Sequence, residues 1–181
     1  MMRDDMERIL LSEEEIRSRI RELGAEITAD YAGKEPLFVG VLKGSFVFMA
    51  DLIRSVDLPC GMDFMVVSSY GKGTKTTGAV KIVKDLSQDI EDRDVVIVED
   101  ILDTGVTLSY LTRYLSNRNP ASITIATLLD KPERRRAAVQ AKYVGFTVPD
   151  AFVVGYGLDY AETYRNLPYI GILKPSVYGG K

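Results

Sequence analysis

Val95-Val96-Ile97-Val98-Glu99-Asp100-Ile101-Leu102-Asp103-Thr104-Gly105-Val106-Thr107 is the stretch on which the reading of this chain turns. Four consecutive branched apolar residues suit a strand with neither face in water, as in a parallel sheet. The run closes on two adjacent carboxylates. A short loop with a third Asp, two Thr and a Gly follows, and then a helix predicted over Thr107 to Ser116. In parallel α/β sheets ligands bind beyond the carboxyl ends of the strands. The first turn of a helix adds N–H donors and a positive dipole end, which together seat a phosphate. Thr104 and Thr107 contribute hydroxyls, and Gly105 lets the backbone approach closely. Ionised Glu99 and Asp100 can only accept, so they suit sugar hydroxyls or a hydrated magnesium ion. Asp-Thr-Gly alone is an ordinary turn and cap sequence. Two acids ending an apolar strand directly before it are harder to explain as structure.

Outward from this stretch, strands and helices alternate. Ser12 and Glu15 have the form of a capping box, and Ile16, Ile20, Leu23 and Ile27 place one apolar face on a helix over Glu13 to Tyr31. Leu37 to Leu42 and Ile123 to Leu129 read as further buried strands, and Ser45 to Val56 as a helix. Met62 to Val67 is expected to pair with Ala79 to Val83. Strands over Tyr143 to Val148 and Phe152 to Tyr156 lack crossover helices and are expected to finish the sheet edge and build a smaller lobe with the N-terminus. The pattern is that of an α/β domain around a mostly parallel sheet flanked by helices.

Composition narrows the chemistry. The chain has 181 residues, 46% hydrophobic and 27% charged, as in a soluble single domain. A formal charge of −3 argues against general affinity for nucleic acid or acidic membranes. There is no histidine and one cysteine, Cys60, which excludes a Ser-His-Asp triad, His-ligated metals and an intrachain disulfide. Any metal has to sit on oxygen ligands, which favours Mg2+ or a similar hard cation. The charged N-terminus does not fit a signal peptide, and no apolar run reaches the roughly 20 residues of a membrane span. A cytoplasmic location is expected.

Val95 to Thr107 resembles the phosphoribosyl pyrophosphate motif of the type I phosphoribosyltransferases. Three other segments resemble the hypoxanthine–guanine branch: Val41-Leu42-Lys43-Gly44-Ser45, Leu128-Leu129-Asp130-Lys131-Pro132, and Phe152 to Tyr160. The resemblance implies the fold of that family: a single domain over 1–181, with a core of about 32–148 and a hood from about 1–12 and 149–181. It implies transfer of a phosphoribosyl group to a 6-oxopurine, with release of pyrophosphate, in a homodimer or homotetramer. By the same resemblance, Glu99, Asp100, Asp103, Thr104, Gly105 and Thr107 bind the phosphoribosyl group, and Asp103 is the catalytic base. Lys43, Gly44, Ser69, Tyr70 and Arg165 bind pyrophosphate, and the peptide before Lys43 can be cis. Lys131, Phe152, Val153 and Asp159 bind the purine, and Glu99, Asp100 and Asp159 hold the metal. The polar, Gly-rich stretch from Ser68 to Gly78 corresponds to a loop that closes over the site.

Judged without the family, several of these residues have simpler readings. Lys43 is a solvated turn lysine, Phe152 a core aromatic, and Lys131 the head of a basic run whose Arg134, Arg135 and Arg136 form a solvated or subunit-contact face. One departure from the family loop is Val106, where a lysine or other polar residue is usual; it bears on phosphate affinity rather than on reaction type. Three alternatives stay open: a nucleic-acid-binding regulator on the same fold, the same reaction with xanthine, uracil or adenine, and a purely structural module.

Overall fold

The computed structural model describes residues 1–69 and 80–179. A 3-10 turn leads into strand β1 (Met6–Leu11), followed by helix α1 (Glu13–Asp30), β2 (Leu37–Leu42), α2 (Phe46–Arg54), β3 (Gly61–Ser69), β4 (Val80–Lys84), β5 (Asp94–Leu102), α3 (Val106–Ser116), β6 (Ser122–Asp130), β7 (Tyr143–Thr147), β8 (Val153–Val154), β9 (Ile170–Leu173) and the short α4 (Pro175–Tyr178). The expected capping box is present: Ser12 Oγ accepts from the Glu15 N–H and the Glu15 carboxylate accepts from the Ser12 N–H.

Six strands form one sheet in the order β4-β3-β2-β5-β6-β7. Its neighbours pair in parallel except at the β3–β4 edge, which is antiparallel. Along each central strand the side chains alternate between two cores. Phe38, Val96, Val98, Ala126 and Leu128 point to the layer of α1 and α2. Leu37, Val39, Val41, Val95, Ile97 and Ile125 point to the layer of α3, where Leu108, Leu111 and Leu115 meet them. All these side chains are buried, which is why the strand sequences read as continuous apolar runs.

Strand order reverses between β2 and β5. Chain connections leave β2 toward β3 on one side, whereas β5 continues to β6 on the other. The loops after β2 and β5 therefore splay apart and leave a crevice at their carboxyl ends. A second, antiparallel sheet, β1-β9-β8, brings the N-terminal segment and the last 30 or so residues together beside that crevice.

Two expectations change. The strand expected over Phe152 to Tyr156 is only Val153–Val154, because the chain turns at Gly155, Tyr156 and Gly157, all at positive φ. Strands β1 and β9 were not foreseen; β1 is charged and half-exposed, and β9 is four residues long.

Asp63 fastens the amino-terminal side of the sheet, opposite the crevice. Its carboxylate is 6% exposed and accepts from the N–H groups of Phe64 (2.7 Å), Ser87 (2.7 Å) and Gln88 (3.0 Å), which locks β3 to the segment that leads into β5. Burial raises its pKa, but these N–H groups outweigh it, and the carboxyl titrates below its ordinary value. A depressed carboxyl pKa contributes stability above the unfolded value of about 3.9, and that contribution is lost as pH falls through the folded value. Asp63→Asn is expected to cost about 1–3 kcal/mol in urea unfolding at pH 7, because an amide has one acceptor oxygen. The cost should hold at pH 5 and narrow by pH 3; a difference independent of pH would contradict this role.

Candidate active site

The crevice between β2 and β5 has a volume of about 300 Å³ and is lined by Leu42, Gly44, Glu99, Asp100, Asp103, Thr104, Gly105, Thr107, Asp159 and Arg165, among others. Nine of the residues proposed from sequence line it. Glu99 and Asp100 are the last polar residues of β5 before its final turn. Burial raises the Glu99 carboxyl well above its ordinary value, and the charge of Asp100 adds to the effect. Burial raises Asp100 too, with the Arg165 charge among the opposing influences. Perturbed acids lining a crevice at a strand-order reversal mark it as the candidate site.

The loop after β5 bends at Gly105, whose φ of +80° is left-handed and favours glycine. A Cβ there would also run into Val139 and Arg135. Gly105 is the N-cap of α3, so the first-turn N–H groups of an 11-residue helix open toward the crevice. Val106 is the first residue of that helix, and its N–H reaches only Thr104 Oγ1, at 3.4 Å.

Two other loops interlock with this one. The Leu42–Lys43 peptide is cis. A Cβ on Gly44 would fall within the Asp100 carboxylate, and one on Gly157, at φ +101°, would strike the Gly44 carbonyl. Glycine is required at both positions because three loops share one point. The Lys43 ammonium pairs with the Glu162 carboxylate at 2.7 Å. Arg165 donates to the Gly157 carbonyl at 2.8 Å and pairs with Glu162 at 3.1 Å and Asp159 at 3.2 Å.

Lys131 sits at the end of β6 and is buried. Its ammonium donates to the Ala151 carbonyl at 2.6 Å, and burial lowers its pKa. Phe152 is 38% exposed and stacks on Tyr178 of α4, with ring centroids 4.7 Å apart. Val153 is buried in the core. Ser69 ends β3, and Tyr70 lies outside the described residues.

Glu99, Asp100 and Asp159 line the same crevice, and Asp159 pairs with Arg165 and accepts from the Glu162 N–H at 2.8 Å. No group of three metal-ligating side chains occurs among the described residues. The structure corrects one reading: the basic run is not simply a solvated face. Arg134 Nε donates to Asp103 Oδ1 at 2.6 Å and pairs with Asp150 at 3.5 Å; Arg135 pairs with Asp130 and donates to the Asp103 carbonyl at 3.2 Å; the Arg136 N–H donates to the Thr104 carbonyl at 2.8 Å. These contacts brace the loop from behind.

Comparison with known proteins agrees with this geometry. Residues 8–161 match the family model described as phosphoribosyl transferase domain. The hypoxanthine-guanine phosphoribosyltransferase of Bacillus subtilis is 60% identical over 98% of this chain and 99% of its own length. The chain belongs to the hypoxanthine–guanine phosphoribosyltransferase family. Two solved members share its fold: a hypoxanthine phosphoribosyltransferase from Staphylococcus aureus (TM-score 0.95, 57% identity, 98% of this chain and 96% of that one) and a hypoxanthine-guanine phosphoribosyltransferase from Bacillus anthracis (TM-score 0.90, 47% identity, 93% and 99%). Family membership makes the chain a glycosyltransferase-type enzyme.

Sequence reasoning missed Glu162, Arg134 and Arg135. The only available signal was charge: one acid near Asp159 and a basic run near Lys131, both of which look like solvated surface until the loops are folded together. The Gly44–Asp100 approach yields a direct test. Gly44→Ala must push the lysine loop away from the acids, and displacement near 1 Å at a reacting centre costs about 10²-fold. We expect kcat/KM to fall by at least about 10²-fold with an intact circular dichroism spectrum; near-normal activity would mean that the three loops need not meet.

Proposed function

We propose that the crevice transfers the 5-phosphoribosyl group of phosphoribosyl pyrophosphate to hypoxanthine or guanine, giving IMP or GMP and pyrophosphate, in purine salvage. The observation that carries this reading is the coincidence of two half-buried adjacent acids with an anion-seating helix start at the strand-order reversal. In this reading the N–H groups around Thr104 to Thr107 and the threonine hydroxyls hold the 5-phosphate, and Glu99 and Asp100 accept from the ribose hydroxyls. Val106 adds no charge, so phosphate affinity rests on backbone donors and the helix dipole.

Lys131, Phe152 and Val153 form the base side. A buried ammonium next to the Ala151 carbonyl can turn its remaining donors to the 6-oxo group of a purine. An amino group at that position offers nothing to accept, which supports selection against adenine. Phe152 keeps part of its ring in solvent and supplies a stacking surface worth roughly 1–3 kcal/mol. Lys43, Gly44, Ser69, Tyr70 and Arg165 form the pyrophosphate side. In the displacement, purine N9 attacks the anomeric carbon, the bond to pyrophosphate oxygen breaks, and positive charge builds on the ribose ring, where the paired carboxylates lower its energy. Asp103 takes the proton at purine N7. Its bond to Arg134 holds one carboxylate oxygen and leaves the other to accept that proton.

The donor set fits Mg2+ in a limited form. Glu99 and Asp100 are hard oxygen donors, and magnesium is commonly held by one or two carboxylates together with waters and substrate phosphates. Bound there, it would offset charge growing on the departing pyrophosphate. Asp159, which lines the same crevice, would reach a magnesium ion on the pyrophosphate side.

The two sheets favour a division into a core of about 32–148 and a hood from about 1–12 and 149–181. No helix among the described residues is long and apolar enough to cross a membrane. A cytoplasmic homodimer or homotetramer that binds no nucleic acid completes the proposal.

Two variants test it. Asp103→Asn should lower kcat about 10²–10⁴-fold in nucleotide formation monitored by absorbance, while each KM moves by less than about five-fold; unchanged kcat removes Asp103 from the base role. Lys131→Met should lower kcat/KM for hypoxanthine by about 10²-fold or more and change the adenine rate little. An equal loss for both bases would contradict selection by Lys131.

A further inference from the structure

Glu162 occupies both cations that the proposed function assigns to pyrophosphate. Its Oε2 lies 2.7 Å from the Lys43 ammonium and its Oε1 3.1 Å from the Arg165 guanidinium. One carboxylate thus bridges two cations from separate segments, 119 residues apart and three residues apart in sequence. The two cations hold the Glu162 carboxyl below the ordinary carboxylate range, Lys43 most strongly.

The backbone gives a second, independent indication. Tyr160 and Thr163 exchange hydrogen bonds across a two-residue turn, N to O at 3.1 and 3.0 Å. The central residues, Ala161 and Glu162, have φ of +50° and +64°. Such a turn favours Asn-Gly or Gly-Gly, since side chains at positive φ crowd their own backbone. Here its second position is a glutamate, with the carboxylate aimed back at the crevice mouth. The Asp159 carboxylate accepts the Glu162 N–H and so fixes the turn from inside.

We infer that Glu162 is a built-in anionic surrogate for pyrophosphate: it pre-positions Lys43 and Arg165 and must be displaced when a diphosphate binds. The inference rests on the reading of Lys43 and Arg165 as pyrophosphate groups. A carboxylate carries less charge than a diphosphate, so it is displaced readily, and its competition also weakens retention of the released product. Glu162 is then a positioning residue that tunes diphosphate affinity without touching the sugar or the base.

The test is calorimetric titration of inorganic pyrophosphate, with magnesium chloride present, into the full-length protein. Glu162→Gln and Glu162→Gly both remove the charge, and the second also relieves the turn, so loss of folding cannot mask the result in both. Each is expected to bind pyrophosphate about three- to ten-fold more tightly than the native chain, the scale of exposed ion pairs. Unchanged or weaker binding in both overturns the inference, since Glu162 would then be either a bystander or a support for the bound diphosphate. Lys43→Met separates this from failure of the underlying reading. If it weakens pyrophosphate binding while the Glu162 variants do not tighten it, the surrogate role alone falls; if it leaves binding unchanged, the pyrophosphate assignment and the surrogate role fall together.

Discussion

Glu99 and Asp100 are neighbours at the carboxyl end of β5, where burial makes ionising both of them costly. A fold carries such a pair only if something nearby repays the ionised form. The surroundings are arranged accordingly. The lysine loop comes close enough that only glycine fits at position 44, the guanidinium of Arg165 bears on Asp100, and the start of α3 points its N–H groups into the same crevice. Each of these devices makes sense around a ligand that offers hydroxyls to the acids and phosphate to the donors.

The sheet makes this possible. Reversal of strand order between β2 and β5 separates the two loops, and side-chain alternation along both strands fastens each to cores on both faces. A rigid two-faced support fixes the acids more firmly than a loop could, while the loops themselves stay free to vary. The hood then approaches from the other side, with Lys131 reaching the Ala151 carbonyl across the boundary between sheet and hood.

Much of the core was legible in sequence because its signals are local. Val95 to Val98 announced a two-faced buried strand, Ser12 and Glu15 a capped helix, and Glu99 to Thr107 a strand–loop–helix junction. The hood was not legible in the same way. Strand β1 alternates poorly and β9 is short, so neither carries a period that a local reading can detect. Contacts between distant charges were hidden for a related reason. Arg134 with Asp103, and Glu162 with Lys43, join surface-like residues 31 and 119 positions apart, and a basic run or a lone acid reads as solvated until the loops converge. The same limit hid the pairing of Asp159 with Arg165, six positions apart across a turn.

The central claim is that the end of β5 and the turn after it cradle a sugar phosphate. A crystal structure with ribose 5-phosphate tests it most directly. The account predicts the phosphate within hydrogen-bonding distance of the N–H groups from Thr104 to Thr107, with ribose hydroxyls on Glu99 and Asp100. Phosphate bound instead in the arginine-lined cleft of Arg17, Arg21 and Arg54, with the β5 crevice free of sugar, would contradict it.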